Sequence, residues 1–370
     1  MLTQISFKFH QDMKHIAILY GLLAFLLAGC ISHSEQRVVM QLSPSIKTET
    51  KALNADTLSL AQEFLYAKQY FVYQDTVLIV INTPSEDAPF IELYNLTNNQ
   101  QIGGYIRLGK GPGEMLLPFI ELEQNTLKIS DPVRQQLTFI DLDVVLKSPE
   151  NYHIPSFEKC QVFSYGKNRL ANGQLVFENP YCFYDKRSGL GNKTYRLLIG
   201  DSNTTDTDFG EFDYQTRNIA QGNLFLSPTK DKLIYIPLRQ PNIEIYDTLA
   251  NPLKTIQGPD DFHEVQYKIY DKCEVIFGPL VPYTYLAYTY NNDYFYVAYT
   301  GDLIDFQTKS EKDLHTWIFQ FDWDGNFIDS YYYPAYINAI SISKDGRSIY
   351  ATSHDPDNMP ILVRLSTINN

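Results

Sequence analysis

One strand–turn–strand unit recurs six times along this 370-residue chain, and that recurrence limits its fold more than any other feature. Residues 75–81, Asp-Thr-Val-Leu-Ile-Val-Ile, are followed by a second β-rich run at 90–94. The same order returns as 125–131 with 137–141, 172–177 with 195–199, 231–236 with 242–247, 292–298 with 317–322, and 345–351 with 361–365. The mean period is about 54 residues, slightly longer than common blade repeats of roughly 40–50. Each unit is bounded by Asn, Asp, Gly or Pro, the residues that close turns. Its strands alternate little between polar and apolar, as strands covered on both faces do. Closing such units into a ring buries the sheet faces and leaves only short edges. The expected fold is therefore all-β: a six-bladed β-propeller with four-stranded blades, spanning residues 56–370. Two sandwiches in series would want a Pro/Gly/Ser-rich linker near the midpoint, and none is seen. Tyr 28 and Phe 22 against Trp 2 suit the same reading, because these rings pack well on pleated faces.

The front of the chain is of another kind. Lys8 and Lys14 precede an apolar run from Ile16 to Gly29, too short to span a bilayer, which takes about 20 residues. A basic segment, an apolar segment and small residues before a cut make a secretory signal. Leu27, Ala28, Gly29 and Cys30 resemble the lipobox of bacterial lipoproteins. The resemblance implies cleavage after Gly29, a signal peptide over 1–29, and lipid on Cys30. Two or more acyl chains hold a protein stably on a membrane. Residues 30–55 are polar and patternless and are expected to be a flexible tether. The expected location is the cell envelope, at the outer membrane, with the Cys30 lipid as membrane contact.

Gly109-Lys110-Gly111-Pro112-Gly113-Glu114-Met115, then Pro118 and the strands at 125–131 and 137–141, resemble one NHL-type repeat of six-bladed propellers. The Gly-Pro-Gly-Glu version also resembles the TolB-like propeller lipoproteins of Bacteroides-type bacteria. The likeness covers about 35 residues, one blade. It implies fold and compartment and carries over no catalytic residue. Gly109, Gly111, Pro112, Gly113 and Glu114 are expected to form a blade-crossing loop, with Glu114 capping free amides. No Lys-Ser/Thr and no helix follows, so the phosphate-cradle chemistry of a P-loop is absent.

The net charge of −13, with no basic cluster, argues against nucleic acid as a partner. Beyond Cys30, the cysteines Cys160, Cys182 and Cys273 have no metal-site spacing. Cys160 and Cys182 are the nearer pair for a disulfide, and buried thiols are the alternative. The acidic stretch 201–208 offers oxygens for calcium but lacks the spacing of a calcium loop and reads as a solvated loop. The tyrosines from Tyr283 to Tyr296 suit either a ligand-binding mouth or blade packing. His153, His263, His315 and His354 are scattered, and His354-Asp355 reads as surface loop before acid–base pair. No GxSxG elbow is present. Asp56-Thr57, Asp75-Thr76 and Asp247-Thr248, each before an aliphatic residue, resemble the O-glycosylation sequon of Bacteroides-type bacteria. No cofactor is expected. Function is expected to be binding of a protein or carbohydrate partner on one face. The alternative is a hydrolase or lyase acting on a sugar or lactone near the axis, with calcium as its candidate ion.

Overall fold

Apolar strands with Asn, Asp and Gly at their ends pair with their sequence neighbours, because short turns let the chain fold back at once. Between the strands Ala67–Tyr73 and Val77–Asn82 the turn residues Gln74 and Asp75 both have positive φ, at 50° and 61°. Asp and Asn side chains tie other turns: Asp247 Oδ1 accepts from the amides of Leu249 and Asn251, and Asp322 Oδ1 from those of Asp324 and Asn326. Such local bonds are why a terminal Asp recurs in the repeat.

The computed structural model describes residues 38–60, 64, 66–159, 167–169, 175–178, 195–200, 207–211, 222–261, 267–270, 274–305, 313–355 and 357–366. Six sheets of four or five strands follow in chain order. Sheet I is Ala67–Tyr73, Val77–Asn82, Ile91–Asn95 and Gln101–Tyr105. Sheet II is Phe119–Glu123, Thr126–Asp131, Gln136–Asp141 and Glu158–Lys159. Sheet III is Lys167–Arg169, Leu175–Glu178, Tyr195–Gly200 and Thr207–Glu211. Sheet IV is Gly222–Leu226, Lys232–Pro237, Asn242–Asp247 and Pro252–Gln257, extended by Val38–Gln41. Sheet V is Leu280–Tyr290, Tyr294–Asp305, Thr316–Asp322 and Phe327–Tyr333, extended by Lys51–Ala52. Sheet VI is Ala339–Ile342, Ser348–His354 and Pro360–Ser366, completed by Asn54–Thr57.

The described residues of the six repeat units lie on the antiparallel pair of second and third strands of a sheet. Apolar clusters bind one sheet to the next. Ile79 and Leu93 pack with Ile129 and Ile140 between sheets I and II. Ile245 and Ile256 pack with Phe319 and Phe321 between sheets IV and V, and Ile318 packs with Ile349 and Val363 between V and VI. Inner strands are also cross-bonded. The Val72 amide donates to Ser341 Oγ at 3.0 Å, and the Ile342 amide to Thr289 Oγ1 at 3.1 Å.

This is an all-β propeller. Five sheets carry the packed side chains of blades. Five blades are recognised among the described residues, one fewer than the six expected from the repeat count; in sheet III Arg169 lies 5.6 Å from the Phe139 ring of sheet II.

The segment read as a tether over 30–55 is laid into sheets from Val38 onward. Its strands join sheets IV, V and VI in turn. The Leu42 amide donates to the Gln257 carbonyl, and Leu42 and Ile46 join the core between sheets IV and V. Lys47 lies 4.5 Å from the Trp317 ring centroid and pairs with Asp260 at 2.8 Å. These contacts supply by tertiary packing what the segment lacks in local pattern. The signal peptide, Leu27, Ala28, Gly29 and Cys30 lie outside the described residues, as do Cys160, Cys182, Cys273, His263 and 201–206. The one α-helix among the described residues, Leu142–Lys147, is capped by Asp141, whose carboxylate accepts from the amides of Asp143 and Val144. No described helix is long and apolar enough to cross a membrane.

Candidate functional site

An antiparallel meander brings the start of its first strand and the end of its second to the same end of the sheet. In this chain those ends surround a cavity of about 450 Å³ at the propeller axis, a size usual for small-ligand sites. Its wall takes Gln69 from sheet I, Glu121 from II, Asn223 from IV, Tyr288 from V and Ile340 from VI, all on innermost strands. Strand-end segments add Lys68, Leu117, Arg239 and Asn338 around it. Register shifts between Tyr283 and Tyr285, and between Tyr285 and Ala287, mark bulges beside the cavity. Bulges re-aim side chains, and here the consecutive residues Leu286, Ala287 and Tyr288 all reach the wall.

Two of the wall residues, Glu121 and Tyr288, belong to a buried ion cluster. Lys128, 1% exposed, stands opposite Glu121 in the register of sheet II. Its Nζ lies 2.9 Å from Glu121 Oε2, contacts Glu123 Oε1, and donates to the Leu224 carbonyl at 3.1 Å. The Tyr288 hydroxyl donates to the same Glu123 oxygen at 2.8 Å. Burial works against the charge of Lys128, but the two carboxylates more than offset it and hold the ammonium above the ordinary lysine range. Burial, then the same carboxylates, push the Tyr288 hydroxyl well above the ordinary tyrosine value. Glu121 is the one carboxylate among the described lining residues, and no histidine joins it. The acid beside it, Glu123, is outside the cavity lining and shares the same lysine. Among the described residues no three His, Cys, Asp or Glu side chains gather in a way that would hold a metal ion.

Arg239 is placed differently. Its Nη1 donates to the Pro282 carbonyl at 2.9 Å, and its guanidinium lies 4.6 Å from the Tyr283 ring centroid. Ring and carbonyl fix the guanidinium in the wall, and no carboxylate pairs with it among the described residues.

The glycine-rich loop is adjacent to this site and is internally satisfied. Arg107–Leu108 pairs in parallel with Glu114–Met115. The Gly111 amide donates to Glu114 Oε2 at 2.7 Å, so Glu114 does cap a loop amide. Arg134 Nη1 donates to the carbonyls of Gly111 and Glu114. Asp131 Oδ2 accepts from the Leu116 amide at 2.6 Å. Gly109 and Gly111 leave room for the Glu114 carboxylate, and Gly113 has φ +76°. Pro112 lies at the tip between them. The loop leads from sheet I to sheet II and delivers Leu117 and Pro118 to the cavity wall.

Of the tyrosine group, Tyr285, Tyr290 and Tyr296 are buried packing residues, whereas Tyr283 and Tyr288 also reach the cavity. His153 and His315 are exposed, and Asp355 accepts the Met359 amide as a turn residue beside His354. Sequence reading missed Lys68, Asn223, Arg239 and Asn338. Only Lys128 left a signal, a lysine within the apolar strand Thr126–Asp131 with Glu121 and Glu123 one hairpin away.

No family model matches the chain, and no curated protein does. Solved structures do share its fold. A member of the DUF4221 family from Bacteroides vulgatus aligns with TM-score 0.54 and 10% identity, over 86% of this chain and 96% of that one. An inferred exported protein from Bacteroides fragilis aligns with TM-score 0.51 and 11% identity, over 90% of this chain and 100% of that one. At such identity the likeness is one of fold.

Proposed function

We propose that this chain is a lipid-anchored cell-envelope propeller that binds a ligand at its axis and acts as a scaffold without catalysis. The observation that carries the reading is the axial cavity, walled by the inner strands of five sheets and lined by a fixed guanidinium, an unpaired amide and aromatic residues. One carboxylate already engaged by Lys128 gives little to acid–base chemistry. Sheet III, between II and IV in the chain, completes the ring as a sixth blade in this reading, in the manner of TolB-like and NHL-like propellers. Export is supported by the exported Bacteroides fragilis neighbour and by the apolar leader, and anchoring at the outer membrane by the lipobox ending in Cys30.

Two experiments test the two halves. Full-length protein with Leu117→Trp places a large ring at the cavity rim from an exposed position. Wild type should retain compounds from an envelope extract, detected by mass spectrometry, that this variant loses; equal retention refutes the axial site. A Cys30→Ser variant should leave the detergent phase or stay unprocessed, and unchanged detergent partition refutes the anchor.

A further inference from the structure

The cavity wall contains polar groups that the protein itself leaves unspent. Asn223 is 6% exposed, lines the cavity, and its side chain makes no hydrogen bond among the described residues. Asn338 Oδ1 is buried without a partner, although the Asn338 carbonyl accepts from Gln69 Nε2 at 3.1 Å. Polar groups in folded proteins are nearly always paired, so the Asn223 amide, unpaired on the cavity wall, is open to a hydrogen-bonding occupant, whereas the Asn338 oxygen is shielded behind the wall. Arg239 spends one of its five donors on Pro282. Its remaining fork has the geometry of a carboxylate receptor, held in place before any ligand arrives. Lys68 adds a second cation to the same wall and has no acid partner among the described residues. Phe71, Phe90, Phe119 and Tyr336 add aromatic surface to the lining, which suits the C–H faces of a sugar. A ligand ammonium finds no free counter-charge, because Glu121, the one described carboxylate of the wall, is bound to Lys128.

We propose that the axial cavity binds a sugar acid, a small hydroxylated ring with one carboxylate, which Arg239 anchors and Asn223 recognises through hydroxyls. This rests on the axial-ligand reading above and adds the chemistry of the ligand. Lys68 lies toward solvent, where it draws the carboxylate in without fixing its orientation.

Calorimetric titration of the full-length protein tests it, with glucuronate, galacturonate and digalacturonate as probes. Glucose, galactose, alanine and inorganic phosphate serve as controls. At least one uronate should bind, and its neutral parent should bind about tenfold weaker or less well, since a site built for a polar group rejects the analogue that lacks it. Arg239→Gln should weaken uronate binding by about tenfold or more while leaving the unfolding midpoint in place, and Arg239→Lys should restore only part of it, lacking the fork. Asn223→Leu should weaken uronate and neutral sugar alike. Silence of every uronate, equal binding of neutral sugars, phosphate binding in place of uronates, or wild-type uronate affinity in Arg239→Gln overturns the proposal. If the uronates fail while Leu117→Trp still abolishes retention of other envelope compounds, the sugar-acid assignment falls and the axial site stands. If the plug changes nothing either, both fall.

Discussion

Lys128 has almost no water around it, and its charge depends on Glu121 and Glu123. Removing one partner of a buried ion cluster strands the others without solvent. Lys128→Met should therefore lower unfolding stability by about 3–5 kcal/mol in urea titration. Glu121→Gln should cost about 1 kcal/mol or less, because Glu121 is partly exposed and Glu123 still balances the lysine. Equal losses for the two variants would mean that packing, not charge pairing, governs the cluster. The pair was half legible in the sequence. A lysine in an apolar strand signals a buried partner, and hairpin spacing places Glu121 across from it. The contributions of Leu224 and Tyr288, about 100 and 160 residues away, were not legible, because only closure of the ring brings those strands to sheet II.

At the level of elements, the glycine-rich loop and the closing strand carry separate predictions. Gly113 has φ +76° with open space around a built Cβ, so Gly113→Ala should cost about 1–2 kcal/mol from backbone strain alone. At Gly109 a Cβ collides with the Glu114 carboxylate, which then loses the Gly111 amide; Gly109→Ala should cost more than Gly113→Ala in the same titration. The sequence motif pointed to this loop and to the capping role of Glu114. It did not reveal that the loop sets the cavity wall through Leu117 and Pro118. The closing strand is a clearer case of hidden structure. Asn54–Thr57 is exposed along its length and has no apolar pattern, yet it pairs residue by residue with Pro360–Ser366. Deletion of 38–57 should open the edge of sheet VI and shift the protein toward aggregates by light scattering, as unpaired edges do. A monodisperse, equally stable deletion variant would show that the pairing contributes little.

For the whole molecule, the high tyrosine content sets the response to alkali. Burial raises the hydroxyl pKa of Tyr70, Tyr296 and Tyr350 to about 12, and of Tyr285 and Tyr299 further. In the unfolded chain these groups ionise near about 10. Between those values the unfolded state has released protons that the folded state keeps, so stability falls as pH rises. The stability is fully present below about pH 10 and is lost as the pH passes toward 12. Circular dichroism should show one cooperative alkaline transition, with the tyrosinate absorbance of the buried rings rising in step with it. Complete tyrosine ionisation ahead of unfolding would mean that these rings are open to solvent.

By itself the sequence determined what local rules determine. Period, strand pairing and turn chemistry depend on residues a few positions apart, so the six strand pairs, the Asp-tied turns and the glycine loop were all readable. The apolar leader and Cys30 are equally local signals. The tertiary structure decided whatever depends on which strands meet across the ring. It drew 38–57 out of a supposed tether into three sheets, placed Lys128 between two carboxylates, and set Arg239, Asn223 and Asn338 around one cavity. The physical reason is that a polar residue in a strand looks alike in sequence whether it meets water, a partner or an empty cavity. Only the folded ring assigns its neighbour.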